Sequence, residues 1–312
     1  MSNQQIYQSD NDANQLHLAL MSKPKNKQLI ISIITPKTNK QRLLIKESYY
    51  RLFNKDLIED LKSELSGNFL SLVKALFYNP IDYDCKHIRK AIKGLGTNED
   101  TLIEILSTRD PYKISQIIKR YSMIYENRNV IDDIKDDTSG DFKRILISLL
   151  SPNKYTNSKV NKEQCEQLAR NLFDIVQSKK GLDTQTLIAY FTQKTQVEFQ
   201  LISQYYYKLS GQTIMQLVEK EYSGDLKKCL KGIIYALLSP SEYFANKINK
   251  AISGIGTNDD MLIRIIVSRE EIDMYRIKKY YKQIFKKDMI EDIKNDTSGE
   301  YSNLLVALLQ KN

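Results

Sequence analysis

Two glycine turns, each answered by a distant acid, carry the recognisable chemistry of this chain. Gly94-Leu95-Gly96-Thr97 is followed by Asp137, forty residues after the threonine. Gly254-Ile255-Gly256-Thr257 is followed by Asp296, thirty-nine residues on. Glycine tolerates positive φ, so a Gly-x-Gly turn can aim several carbonyl oxygens to one side. Calcium takes about six to eight oxygens at about 2.3–2.6 Å and accepts backbone carbonyls and bidentate carboxylates. The turn supplies carbonyls without charge, so a carboxylate must come from elsewhere in the chain. Such a set leaves coordination positions open for water or a phosphate oxygen. It binds weakly alone and tightens when a phosphate-bearing ligand completes the shell. A single Gly-x-Gly-Thr is an ordinary turn with an N-cap, and either aspartate alone could be a helix cap. Turn and acid recurring together point to a metal.

The two pairs sit inside a larger repetition. Ser-Gly steps occur at Ser66-Gly67, Ser139-Gly140, Ser223-Gly224 and Ser298-Gly299. Each follows an acidic, amphipathic stretch and precedes an apolar run: Leu70 to Phe77, Ile145 to Leu150, Ile233 to Leu238, Leu304 to Leu309. The unit is about seventy-five residues, and its apolar residues recur at helical spacing. Leu102, Ile103, Ile105 and Leu106 form one stripe; Ile114, Ile117, Ile118 and Tyr121 form another. Breakers divide each unit into about five short helices. Gly94 is expected to stop one helix, and Thr97 with Asp100 to start the next in a near capping box. Thr257 and Asp260 repeat that device, and Ser139 and Ser298 are expected N-caps. The polar segment 151–164, with Pro152, Asn153, Asn157 and Asn161, reads as a linker between two halves of two repeats each.

The bulk composition restricts the function classes. The chain has 312 residues and three widely spaced cysteines, Cys85, Cys165 and Cys229. They are expected to be reduced core residues of an intracellular protein. No apolar run approaches the ~20 residues of a membrane span, and residues 1–15 lack a signal-peptide core. A net charge of +9 favours anionic partners such as lipid head groups or nucleic acid. The two histidines, His17 and His87, lie in different repeats, and no P-loop, nucleophile elbow or zinc spacing occurs. An enzyme is therefore not expected, and His87 is read as structural.

The run Ala91 to Glu99, Arg109, and Asp137 before Ser139-Gly140 together resemble an annexin repeat. Ala251 to Asp259, Arg269 and Asp296 resemble a second. The resemblance covers about residues 16–312. It divides the chain into a tail at 1–15, repeats at 16–79, 80–151, 165–239 and 240–312, and a linker at 152–164. It implies an all-α, slightly curved disc of four five-helix repeats, with Ca2+ on the convex face and reversible binding to anionic phospholipid membranes. The implied ligands are the carbonyls of Ile92, Gly94 and Gly96 with Asp137, and of Ile252, Gly254 and Gly256 with Asp296. Both acids are Asp where many annexins use Glu.

The other two repeats depart from that pattern. The third keeps Gly181 and Glu221, a weaker metal candidate, but Lys179 and Leu182 replace the first glycine and the threonine. The first keeps Glu64, but its loop is Met21-Ser22-Lys23-Pro24-Lys25-Asn26-Lys27. No site of the glycine type is expected there; Lys23, Lys25 and Lys27 are instead candidate lipid contacts. The polar tail has no amphipathic stripe, so no helical partner-binding segment is expected in it. The resemblance also implies a cytoplasmic monomer, peripheral on the inner membrane face, with lateral assembly on membranes as a further expectation. A membrane–cytoskeleton linker like the alpha-giardins is the alternative. A basic helical nucleic-acid binder is a weaker one, because the aromatic and basic residues interleave only diffusely.

Overall fold

The computed structural model describes residues 3–94, 96–151, 160–178, 184–192 and 194–311. Every element among them is helical. The helices fall into four runs of five. The first is α1 (Asn3–Met21), α2 (Lys27–Ile34), α3 (Asn39–Phe53), α4 (Leu57–Glu64) and α5 (Gly67–Leu76). The second is α6 (Pro80–Ala91), α7 (Glu99–Thr108), α8 (Pro111–Ile124), α9 (Val130–Asp137) and α10 (Gly140–Leu149). The third is α11 (Lys162–Gln177), α12 (Thr184–Thr192), α13 (Gln196–Ser210), α14 (Ile214–Glu221) and α15 (Gly224–Leu238). The fourth is α16 (Pro240–Ile252), α17 (Asp259–Arg269), α18 (Met274–Phe285), α19 (Met289–Asp296) and α20 (Gly299–Gln310).

The apolar stripes pack as their spacing predicts. Leu102, Ile103, Ile105, Leu106, Ile114, Ile117 and Tyr121 are all buried, and so are the three free cysteines. Helix starts follow local side-chain chemistry. Thr38, Thr195 and Thr213 form reciprocal capping boxes with Gln41, Glu198 and Gln216.

Several local expectations are corrected. Asn98 and Asn258, not Thr97 and Thr257, cap α7 and α17, accepting from Thr101 N and Met261 N. Gly94 lies in the loop, three residues past the end of α6. Ser139 and Ser298 occupy N-cap positions, but their side chains make no cap hydrogen bond; the glycine after each, at φ near +60, makes the sharp entry instead. The segment before residue 16 is helical from Asn3, held by Ser9 on Ser48 of α3 and by Asp12 on Lys37 in the α2–α3 connection. Such contacts leave no mark in local periodicity.

The chain forms two compact units, and they do not follow the linker. Residues Met1–Pro80 and Phe244–Asn312, the first and fourth repeats, make one. Ile81–Tyr243, the second and third, make the other. The expected division into successive halves is thus replaced by an outer pair and an inner pair. The units follow which apolar faces meet. Residues 152–159 of that linker lie outside the described residues. In the inner unit α7 packs on α15, so closely that a Cβ on Gly232 would stand 2.3 Å from Ile103 Cγ2. In the outer unit α5 packs on α17 and α20, and α2 on α20. Among the described residues no helix is long and apolar enough to cross a membrane.

Candidate metal centres

The fourth helix of every repeat has the same length and ends on an acid. α4, α9, α14 and α19 each span eight residues and finish at Glu64, Asp137, Glu221 and Asp296. A fixed helix length sets how far each acid is carried along its bundle.

In repeats 2 and 4 the glycine loop reaches that acid. Thr97 Oγ1 lies 2.7 Å from Asp137 Oδ2 and 3.0 Å from its backbone oxygen. Thr257 Oγ1 lies 2.6 Å from Asp296 Oδ2 and 3.1 Å from its backbone oxygen. Each loop closes at its base in the same way, with Asn98 N donating to Ala91 O and Asn258 N to Ala251 O, both at 2.8 Å. Gly96 and Gly256 take φ of +83 and +79, with open space where a Cβ would stand. Glycine is required there by backbone conformation rather than by crowding. Leu95 lies outside the described residues. Ile255, its counterpart, is fully exposed at the loop tip.

This arrangement fits a hard cation. Each aspartate holds its threonine with one carboxylate oxygen, and the other has no protein partner among the described residues. The loop backbone beside it is exposed and free of side-chain crowding. Among the described residues no three His, Cys, Asp or Glu side chains gather into a metal-binding group. An ion at either loop would therefore be held by carbonyls and one carboxylate, which is calcium-type oxygen chemistry rather than zinc-type.

A second set of contacts positions the acid, and sequence reasoning missed it. Tyr49, Tyr121 and Tyr281 are fully buried on the third helix of their repeats. They donate to Asp60, Asp133 and Asp292 at 2.7, 2.7 and 2.8 Å. Each of those aspartates lies one turn before the terminal acid, so the tyrosine fixes the rotation of the helix that carries it. Burial and the neighbouring carboxylate push all three phenols up from their ordinary values. Repeat 3 lacks the pin: Leu217 occupies the place, and Tyr206 accepts from Gln212. The available signal was the recurrence of Tyr eleven or twelve residues before an Asp in the three other repeats.

The arginines have a structural task. Arg109 makes a bidentate pair with buried Asp84, with Nε–Oδ2 and Nη2–Oδ1 both at 2.8 Å, clamping the second helix of its repeat to the first. Lys37 and Asp12 repeat the pair in repeat 1. In repeat 4 the acid's place is taken by Phe244, so Arg269 bonds Asp273 at 2.7 Å and lies 4.6 Å from the Phe244 ring centre. His87 is buried edge-on to Tyr83, as expected of a structural residue.

The remaining two loops differ. Glu221 is exposed and lies 3.4 Å from Lys220 Nζ, while Gly181 lies outside the described residues. In repeat 1 the loop keeps the base closure, with Asn26 N donating to Ala19 O at 3.1 Å. Pro24 stands where Gly96 and Gly256 stand, and its ring forbids a positive φ. Lys25 stands where the threonines stand, and its ammonium is ion-paired with Glu64.

A family model for annexins matches residues 11–76, 83–149, 168–233 and 243–308. Homo sapiens annexin A13 is 36% identical over 308 residues, which is 99% of this chain and 97% of that protein. The solved structure of annexin III aligns with a TM-score of 0.93 at 32% identity, covering 96% of this chain and 93% of the other. Calcium-bound annexin (Sm)1 aligns with a TM-score of 0.87 at 28% identity, covering 96% and 90%. Calcium-bound alpha-14 giardin shares the fold, with a TM-score of 0.81 at 23% identity over 95% of this chain and 98% of its own. The chain belongs to the annexin family, as four all-helical repeats.

Proposed function

We propose that this chain attaches to anionic phospholipid membranes when calcium binds at its second and fourth repeats. The ligands would be the carbonyls of Ile92, Gly94 and Gly96 with Asp137, and those of Ile252, Gly254 and Gly256 with Asp296. Bound calcium would supply a positive centre with open positions for a lipid phosphate oxygen. The chain's own residues do the rest. Thr97 and Thr257 hold loop and acid together, and Tyr121 and Tyr281 fix the acid's helix. The observation that carries this reading is the threonine–aspartate tie across each loop, made twice with the same atoms. Gly181 and Glu221 remain a weaker metal candidate, because the pin and the threonine are both missing there. The chain is read as a binding protein rather than an enzyme. It is placed as a cytoplasmic monomer on the inner membrane face, able to assemble laterally once bound.

Vesicle co-sedimentation tests the proposal. Wild type should pellet with phosphatidylserine vesicles only weakly in chelator and strongly with calcium. Asp137→Ala with Asp296→Ala should abolish the calcium-dependent part. Calcium-dependent pelleting that survives the double change would reject the ligand assignment, and no calcium response in wild type would reject the function. The giardin-like fold prompts a second reading, a membrane–cytoskeleton linker. Co-pelleting with microtubules in the absence of lipid would favour it. Salt-sensitive binding to DNA or RNA without calcium would instead favour the basic-surface alternative.

A further inference from the structure

The first repeat carries a cation of its own where two other repeats present a free carboxylate oxygen. Counting from the shared base closure, Lys25 aligns with Thr97 and Thr257, and Glu64 ends α4 as Asp137 and Asp296 end α9 and α19. The Lys25 ammonium sits on the Glu64 carboxylate, and this partner holds the glutamate below its ordinary pKa. Calcium would have to displace an ammonium tethered to the loop itself, and Pro24 denies the loop the left-handed turn of the glycine repeats.

The pair neutralises the acid that ends α4, and two lysines of the loop remain. Lys23 and Lys27 are exposed. The Lys27 ammonium lies 5.8 Å from the Phe69 ring centre, and no carboxylate pairs with either lysine among the described residues. Their direction is set by the neighbouring repeat of the same unit. Gln28, just after the lysine loop, donates to Glu300 at 2.7 Å, one residue past the turn that follows Asp296. Asn68, one residue past the turn that follows Glu64, donates to Asp259, just after the glycine loop, at 2.6 Å. The reciprocal bonds place the lysine loop and the Ile255 loop side by side on one edge of the outer unit. A surface engaged by repeat 4 is therefore also within reach of Lys23 and Lys27.

We propose that repeat 1 is a calcium-independent contact for the phosphate groups of an anionic lipid surface, in which Lys25 is a positioning residue on Glu64 and Lys23 and Lys27 meet the head groups. The proposal rests on the membrane reading above and extends it to the calcium-free state. Lysines near an anionic surface contribute enough that losing two should weaken attachment about thirtyfold.

The test is vesicle binding in chelator at low salt, using the full chain and vesicles with and without phosphatidylserine. Wild type should bind the acidic vesicles measurably and the neutral ones not. Lys23→Gln with Lys27→Gln should lose about thirtyfold. Lys25→Gln alone should weaken binding by exposing the Glu64 charge, and adding Glu64→Gln should restore it to within about twofold, since the pair carries no net charge. Inorganic phosphate at millimolar concentration should not compete, because a single anion lacks the surface potential of a bilayer. Equal chelator binding by wild type and the Lys23/Lys27 variant, absence of chelator binding in wild type, or displacement by inorganic phosphate would each overturn the proposal. The calcium arm of the earlier experiment reads out separately, so either idea can fail alone.

Discussion

Asn68 donates its side-chain amide to Asp259 at 2.6 Å across 191 residues of sequence. It links the start of the last helix of repeat 1 to the start of the second helix of repeat 4. With its counterpart, Gln28 on Glu300, it makes the ion-paired loop and the glycine loop one continuous edge. Repeat 1 has no glycine turn, yet its loop stands on the edge it shares with the glycine loop of repeat 4.

The threonine ties predict a graded loss. Thr257→Val keeps the side-chain volume and removes the hydroxyl that lies 2.6 Å from Asp296 Oδ2. One hydrogen bond to a charged group is worth about 1.5–3 kcal/mol. Calcium affinity at repeat 4 should fall about tenfold, and the calcium-free melting temperature should drop by a few degrees because the same bond is present without metal. Calorimetric titration would show the loss at one of two sites; an unchanged isotherm would mean the tie plays no part in metal binding.

Ile255 separates metal binding from membrane binding. It is fully exposed at the tip of its loop, and full burial of an aliphatic side chain is worth roughly 1.5–3 kcal/mol. Ile255→Ser should leave calcium affinity in solution as it is and weaken vesicle affinity at saturating calcium about tenfold or more. If vesicle affinity also stays constant, the tip does not enter the head-group layer.

Sequence alone disclosed the repeats, the helical class and the loop–acid pairs, because each is written in local spacing. The Tyr121–Asp133 pin was less accessible, since it joins two helices through buried polar atoms that ordinary amphipathic patterns do not register. The role of Thr97 was misread because a threonine before a helix is a good N-cap, and only the fold shows that Asn98 takes that place. The pairing of repeat 1 with repeat 4 depends on apolar faces hundreds of residues apart, and a polar linker says nothing about which faces meet.

Asp133 gives the inner unit an acid-sensitive support. It accepts from Arg128 and Tyr121 at 2.8 and 2.7 Å and from Arg89 at 2.9 Å. The Arg128 guanidinium, helped by Tyr121 and Arg89, holds its carboxyl below the ordinary aspartate value of 3.8. A depressed folded pKa contributes stability that is fully present above the unfolded value and is lost as pH falls through the folded one. Asp133→Asn should lower stability at pH 7 and flatten its decline below about pH 4. Melting temperatures between pH 7 and pH 3 provide the measurement, and parallel curves for variant and wild type would refute the assignment.

The outer unit has its own long-range lock. Arg42 on α3 is fully buried, with Nε donating to Ile34 O at 2.9 Å and its guanidinium paired with Glu270, whose side chain is 3% exposed. The two residues are 228 apart in sequence, so the pair joins repeat 1 to repeat 4. Removing one partner strips a buried carboxylate of its guanidinium, which costs about 3–5 kcal/mol. Replacing both partners with apolar residues of similar size is often neutral. Arg42→Met should lower the denaturant midpoint sharply, and Arg42→Met with Glu270→Met should recover most of the loss. Calcium affinity, measured well below the transition, should be the same in all three proteins, because neither residue reaches a glycine loop. A double variant no more stable than the single one would mean that the loss comes from the guanidinium's other contact, on the Ile34 carbonyl within repeat 1, rather than from the pair with Glu270.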